Sequence, residues 1–101
     1  MKAKICNSHD ELIEAGPGAV HYFESVDGGH LQFICPRTNE VNACSGFCHV
    51  RVSQEPGSHG PQTWNMTGWP DAVTLIPSVF NCAQNACNWH GWLRNGEWVS
   101  V

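Results

Sequence analysis

Residues 90–101 read HGWLRNGEWVSV, two short runs rich in aromatic and aliphatic residues on either side of an Asn-Gly pair at 95–96. Both turn residues can adopt the positive φ values that a type I′ turn requires. A two-residue loop places Arg94 opposite Glu97 on paired antiparallel strands. The stretch therefore predicts a β-hairpin and favours a β-rich fold.

Strand patterns also occur upstream of this hairpin. They cover residues 19–26 (AVHYFESV), 30–35 (HLQFIC) and 47–53 (FCHVRVS), and short stretches near 63–67 and 72–76. Asp27-Gly28 is a tight-turn signal between the first two segments, which therefore predict a second hairpin. In the third segment, Cys48, Val50 and Val52 share one face, as expected of a strand with one buried side.

One short helix is predicted near the N terminus. Residues 8–11 (SHDE) match a capping box, in which the serine accepts from a backbone N–H and the glutamate reaches back. Gly16-Pro17 ends the helix after about two turns. The sequence thus predicts a mostly β fold (small α+β) of antiparallel hairpins with one short N-terminal helix, in a single domain over residues 1–101.

The composition of the chain argues against nucleic-acid binding and membrane association. The chain has a net charge of −4 and only five basic residues, which are scattered along it. Nucleic-acid binding needs clustered Lys and Arg side chains, so no nucleic-acid partner is expected. The sequence contains neither a signal-peptide h-region nor a run long enough to span a bilayer. We therefore expect no membrane association and a cytoplasmic location.

Six cysteines in a reducing compartment favour metal binding, although three disulfides are the alternative for an exported protein. Zinc takes four Cys or His ligands in a tetrahedron. Two groups could supply them: Cys35, Cys44 and Cys48, and then Cys82, Cys87 and His90 before the final hairpin. Two ligands from each group would join the hairpins and stabilise a small β domain. For any one cysteine, simple burial as a small apolar residue is the alternative interpretation.

Nucleophilic catalysis has little support in the sequence. A catalytic cysteine needs a nearby base and a lowered pKa, and a sequence does not show that proximity. No nucleophile elbow, Gly-rich phosphate loop or pair of carboxylates occurs. No catalytic residue is therefore predicted, and a binding protein is favoured over an enzyme.

Residues 87–92 (CNWHGW) are similar to the second half of a Rieske iron–sulfur motif, C-x-x-H-G-W. A Rieske centre takes two cysteines and two histidines as ligands. The C-x-H half of the motif does not occur in the window before Cys87, so a Rieske-like electron carrier is kept only as an alternative.

An ordered series of short motifs runs from His30 to Val101. It comprises Phe33-Ile34-Cys35-Pro36, Cys44, Val50-Arg51-Val52, Trp64-Asn65, Thr74-Leu75-Ile76-Pro77-Ser78-Val79, Cys87, His90, Trp92 and Gly96. The series resembles a family of small phage and prophage proteins of unassigned function, often automatically labelled "ammonia monooxygenase". The resemblance implies a Cys/His metal site and a location in the cytoplasm of the host cell. Pro77-Ser78 either shapes the approach to the late ligands or forms a plain turn.

The residues and the resemblance together imply one structural zinc ion. Cys35, Cys44 and Cys87 would bind it as thiolates and His90 as a neutral imidazole. Cys48 is the substitute for Cys44, because the two early cysteines are more widely separated than the family pattern has them.

We therefore expect a phage-type zinc-binding protein that serves as an interaction module for an unidentified host or phage protein. Five tryptophans and few charged residues are typical of interface cores. Trp64 and Trp69 are the predicted anchors. A metalloenzyme with an open zinc position and the Rieske-like carrier are the alternatives, and metal identity and coordination would distinguish the three.

Overall fold

A computed structural model describes residues 1–36, 46–57, 60, 62–79 and 89–100 of the chain. In chain order its elements are β1 (Lys4–Ile5), α1 (His9–Ala15), β2 (Ala19–Ser25), β3 (Gly28–Ile34), β4 (Phe47–Ser53), β5 (Thr63–Thr67), β6 (Thr74–Ile76), β7 (Gly91–Arg94) and β8 (Glu97–Ser100). The prediction of a mostly β fold with one short N-terminal helix is confirmed.

The strands form two sheets. Six of them pair in the order β1-β2-β3-β4-β5-β6, and β7 pairs with β8 in a separate two-stranded sheet. The β1–β2 and β4–β5 pairs are parallel, whereas the other pairs are antiparallel. The prediction of antiparallel hairpins is therefore wrong for these two parallel pairs. Parallel neighbours cannot be joined by a tight turn, and α1 lies in the connection between β1 and β2.

Both predicted hairpins are confirmed. In the first, Ser25 pairs with Gly28 at the end of the β2–β3 ladder. In the second, Arg94 pairs with Glu97, and the turn residues Asn95 and Gly96 have φ values of 48° and 75°. These positive values are what a type I′ turn demands of its two central residues.

The helix α1 begins and ends where the sequence predicts. The Ser8 Oγ accepts from the Glu11 backbone N–H at 3.1 Å, and the Glu11 carboxylate accepts from the Asn7 N–H at 3.0 Å. Leu12 is fully buried, and Gly16 ends the helix with a φ of 78°. No helix in the described part of the chain is long and apolar enough to cross a membrane.

The main core joins the six-stranded sheet to the β7–β8 hairpin. Phe33 and Trp98 are buried, and their ring centroids lie 5.0 Å apart. The Trp98 Nε1 donates to the Gly18 carbonyl at 3.0 Å, so the indole is satisfied inside the core. The other buried members are Val20, Leu31, Cys35, Cys48, Val50, Val52, Met66, Val73, Leu75, Val79, Trp89 and Leu93.

Backbone hydrogen bonds tie β6 to β7 at two places. At one end, Val79 and Gly91 exchange hydrogen bonds of 2.7 and 3.0 Å. At the other end, the Gly96 N–H donates to the Val73 carbonyl at 2.8 Å. The edge of the large sheet and the terminal hairpin are thus held side by side.

Candidate functional site

A serine and a histidine meet where β6 and β7 are tied together. Ser78 immediately precedes Val79, and His90 immediately precedes Gly91, so the bridge between Val79 and Gly91 brings the two side chains together. The Ser78 Oγ lies 2.9 Å from the His90 Nε2. Both residues are half-buried, which leaves the pair accessible. A hydroxyl at this distance can give its proton to the imidazole ring.

Two tryptophans hold the backbone of this pair. The Trp64 Nε1 on β5 donates to the Ser78 carbonyl oxygen at 3.1 Å. Trp89 directly precedes His90 and is buried, with its ring edge-on to Trp98 at 5.5 Å. Because each indole is fixed by packing or by a hydrogen bond, the serine and the histidine are positioned from both chain segments.

Glycine at position 91 permits the close approach of these segments. A Cβ at Gly91 would overlap the Trp89 ring and the Val99 carbonyl oxygen. The Val99 oxygen belongs to the backbone, so a change of side-chain rotamer cannot relieve this overlap. The residue after His90 must therefore lack a side chain for the bridge and the buried Trp89 to coexist.

A second serine–histidine contact occurs at the β2–β3 turn. The Ser25 Oγ lies 2.9 Å from the His30 Nε2, the same distance as in the Ser78 pair. The Asp27 Oδ1 lies 2.9 Å from the same nitrogen and also contacts the Ser25 hydroxyl. The other ring nitrogen, Nδ1, is 2.8 Å from the His49 Nε2. A catalytic triad instead places its hydroxyl and its carboxylate on opposite nitrogens of the histidine.

Proton placement also separates the two pairs. Hydrogen bonds from Ser25 and then His30 lower the pKa of Asp27 to about 2, so this carboxylate is ionised at neutral pH. An ionised carboxylate only accepts hydrogen bonds, so the His30 Nε2 carries a proton. That nitrogen cannot then remove the proton of Ser25. Ser78 is therefore the better candidate nucleophile.

The stability of the fold should depend on pH through His49. Partial burial and then the proximity of His30 lower the pKa of His49; Arg51 adds to this effect, while Asp27 opposes it. The unfolded chain therefore takes up this proton at higher pH than the folded chain does, so stability falls as pH drops below about 6.5. We expect the Tm of the native protein to fall between about pH 7.5 and about pH 5.5, and to fall less in His49→Gln, by differential scanning fluorimetry. Equal slopes in the two proteins would contradict the assignment.

An open groove lies between β6 and β7. Its volume is about 440 Å³, and its lining residues are Thr74, Leu75, Ile76, Trp92, Arg94 and Asn95. Ile76 is two residues from Ser78, and Trp92 is two residues from His90. The groove is therefore close to the Ser78–His90 pair along both chain segments.

The predicted zinc ligands fall only partly within the described residues. Cys44, Cys82 and Cys87 lie outside them. Cys48 pairs with Phe33 across β3 and β4, so Cys35 is its diagonal neighbour on the same buried face. Among the residues that the structure describes, no group of three or more His, Cys, Asp or Glu side chains is arranged to hold a metal ion. The zinc site stays a prediction.

His90 is placed against Ser78, a contact that the sequence does not predict. A metal ion on the His90 Nε2 would displace the hydrogen bond from the serine. Trp64 and Trp69 are the predicted interface anchors. Trp64 is half-buried and its indole donates a hydrogen bond to the Ser78 carbonyl, and Trp69 is half-buried against the core.

Ser78 is the candidate functional residue that the sequence does not predict. The sequence assigns Pro77-Ser78 a plain turn or a role in shaping the approach to the late metal ligands. Ser78 and His90 are 12 positions apart, and the bridge between Val79 and Gly91 brings them together. The one signal in the sequence is the Pro-Ser pair of the motif series with a histidine downstream, and that signal does not reveal the contact.

Comparison with known proteins identifies the family. The family model of BubE, described as the bacterial ubiquitination-like system serine protease, matches residues 5–101. No curated protein and no solved structure matches the chain. The match shows that the resemblance to phage proteins labelled "ammonia monooxygenase" is wrong. The interpretation as a phage-type zinc-binding interaction module is wrong for the same reason, and its two alternatives are not retained. Since the match covers nearly the whole sequence, the chain belongs to the BubE family.

Proposed function

We propose that this chain is a serine protease of a bacterial ubiquitination-like system, with Ser78 as the nucleophile and His90 as the general base. The observation that carries the proposal is the 2.9 Å contact between the Ser78 Oγ and the His90 Nε2. The family description supports the reaction class, and the contact supports the choice of residues.

Acylation would begin with proton transfer. The unprotonated His90 Nε2 takes the hydroxyl proton of Ser78 while the Oγ forms a bond to the carbonyl carbon of the scissile peptide. The tetrahedral adduct then collapses, and its C–N bond breaks. The imidazolium gives the same proton to the departing nitrogen, which leaves as an amine. An ester between the substrate acyl group and Ser78 remains.

Deacylation would repeat these steps with water in place of the serine. His90 removes a proton from water as its oxygen attacks the ester carbon. The bond between that carbon and the Ser78 Oγ breaks, and the imidazolium returns the proton to Oγ. The substrate leaves as a carboxylic acid. The enzyme returns to its starting state, and neither step oxidises or reduces any group.

The surroundings of the pair fit a polypeptide substrate. The groove between β6 and β7 is open and is lined by Ile76, two residues from Ser78, so an extended chain in it can approach the hydroxyl from one side. Ile76 and Trp92 give the groove an apolar surface, and ligand clefts are commonly lined in this way.

Cleavage of a peptide library tests the proposal on many candidate substrates at once. The native protein and Ser78→Ala would each be incubated with a library prepared from a bacterial proteome, and new peptide termini would be identified by mass spectrometry. We expect new termini with the native protein only. A library left uncut by the native protein, or cut equally by both, would argue against the proposal.

Removal of the Trp64 hydrogen bond should slow the reaction without unfolding the protein. Trp64→Phe keeps an aromatic ring but loses the Nε1 donor to the Ser78 carbonyl. A single hydrogen bond contributes about 1 kcal/mol, so we expect kcat/KM to fall by about fivefold to tenfold. The fall should appear mainly in kcat, because the bond positions the nucleophile.

Trp69→Phe is the matched control for this variant. Trp69 is also half-buried and packs on Tyr22 with ring centroids 5.7 Å apart, away from Ser78. Its kcat/KM should stay near that of the native protein. If the two variants lose activity equally, the effect belongs to general packing and the Trp64 contact has no specific role.

Zinc is a separate prediction that this mechanism does not require. Cys35 and Cys48 are diagonal neighbours on one buried face, and thiolates so placed could share an ion with Cys44 and Cys87. We expect about one zinc per chain by elemental analysis, retained in His90→Ala if the cysteines alone bind it. If protein that is purified without chelators contains no zinc, the prediction is wrong.

A further inference from the structure

The groove near Ser78 combines an apolar surface with a cation. Ile76 is 48% exposed although it is aliphatic, and Trp92 is half-buried. Arg94 lies on the same face of β7 as Trp92, because side chains two apart on a strand share a face. A ligand in this groove thus meets an apolar surface and a positive charge side by side.

The Arg94 guanidinium is turned toward the groove. Its Cζ lies 4.2 Å from the centroid of the Trp92 ring, in a cation–π contact. Arg94 pairs with Glu97 in the β7–β8 register, but the ion pairs found among the described residues involve Asp27 and not Glu97. Within the described ranges, therefore, no carboxylate lies within 4 Å of Arg94, and its charge is available to a ligand.

The groove is bounded at both ends. The Val79–Gly91 bridge closes it beside Ser78, and the Asn95 N–H donates to the Thr74 Oγ1 at 2.9 Å at the far end. The Arg94 guanidinium covers the Trp92 ring between these two ends, so an extended ligand that contacts Trp92 also meets the positive charge.

We infer that the groove selects an extended substrate segment that carries apolar residues and an Asp or Glu side chain on one side of the scissile bond. The inference rests on the proposed function of Ser78. An extended chain fits because both walls are strands, and an acidic residue fits because Arg94 is a stacked cation without a carboxylate partner in the described part of the chain. Arg94 is thus a specificity-determining residue.

Hydrolysis of paired peptides tests this selection. A peptide cut in the library experiment would be resynthesised with a single Glu or a single Lys at each of the four positions on either side of the cut. We expect the native protein to prefer Glu over Lys by about tenfold in kcat/KM at one position on one side of the cut, mainly through KM. Arg94→Gln should lose the preference, and Arg94→Glu should reverse it.

Arg51→Gln is the matched control. Arg51 is also exposed on a strand, but it lines a different cleft and pairs with Asp27. The Arg51→Gln variant should prefer Glu peptides over Lys peptides as strongly as the native protein does. Equal cleavage of Glu and Lys peptides by the native protein, or an unchanged preference in Arg94→Gln, would overturn the inference.

Binding to the inactive variant separates this inference from the proposed reaction. Labelled hexapeptides of apolar residues with one Glu or one Lys would be titrated into Ser78→Ala by fluorescence polarisation. Tighter binding of the Glu peptides that disappears in Ser78→Ala/Arg94→Gln supports the groove even if no peptide is hydrolysed. Hydrolysis without this dependence on Arg94 leaves the protease assignment intact and refutes the groove assignment.

Discussion

Ser78→Ala is expected to reduce kcat/KM for peptide hydrolysis by roughly 10⁴-fold to 10⁶-fold, as loss of a serine nucleophile does in other proteases. The alanine cannot form the acyl bond, and the proton that His90 would remove is gone. Because Ser78 is half-buried and the hydrogen bond from Trp64 to its carbonyl stays, the variant should remain folded. Initial rates on a cleaved peptide, together with a thermal unfolding curve, would measure both effects.

Ser25→Ala is the control that the fold itself provides. Ser25 has the same 2.9 Å distance to a histidine Nε2, but that nitrogen also contacts the Asp27 carboxylate. We expect its kcat/KM to stay close to that of the native protein. The double variant Ser78→Ala/His90→Ala should be no slower than Ser78→Ala, because the two residues act as one unit. A large loss in Ser25→Ala with little loss in Ser78→Ala would show that the nucleophile lies at the other turn.

Gly91→Ala is expected to damage both stability and activity. Its new methyl group would overlap the Trp89 ring and the Val99 carbonyl oxygen. Such overpacking typically costs about 1–3 kcal/mol, which lowers the Tm of a domain of this size by roughly 5–20 °C. His90 would move with its neighbours, and a displacement of about 1 Å at a reacting group can cost 10²-fold in rate.

Gly60→Ala is the matched control for this substitution. Apart from its chain neighbours, no heavy atom of the described residues lies within 4 Å of a Cβ built at Gly60, and no positive φ is found there. Its Tm and kcat/KM should remain near those of the native protein, measured by scanning calorimetry and by initial rates. If Gly91→Ala behaves like Gly60→Ala, the close approach at Gly91 does not position His90.

Local features of the fold could be predicted from the sequence. The Asn-Gly pair at 95–96 fixes the terminal hairpin because few other residues accept the required φ values, and the turn in turn sets the register. The capping box at Ser8 and the Gly16-Pro17 stop bound the helix for similarly local reasons. Alternation along 47–53 predicted the buried face of β4, because side chains alternate across a strand.

Features that depend on distant contacts could not be predicted. The parallel pairing of β4 with β5 leaves no turn signature, since no tight turn joins the two strands. The Ser78–His90 contact depends on the backbone bridge between Val79 and Gly91, which no local pattern indicates. His90 follows Cys87 by three residues, so the sequence predicts a metal ligand at this position instead. The sequence predicts Trp64 to be an interface anchor, because the hydrogen bond from its indole to the Ser78 carbonyl is a tertiary contact that no local pattern indicates.

Covalent labelling with a fluorophosphonate tests the central claim most directly, because such reagents phosphonylate an activated serine and report the residue by mass. The native protein would be treated, digested and mapped by tandem mass spectrometry, with His90→Ala treated in parallel. The account predicts one adduct per chain, on Ser78, and a large decrease of labelling in His90→Ala, which lacks the base 2.9 Å from the hydroxyl. An adduct on Ser25, or an unmodified Ser78 in protein that hydrolyses peptides, would contradict it.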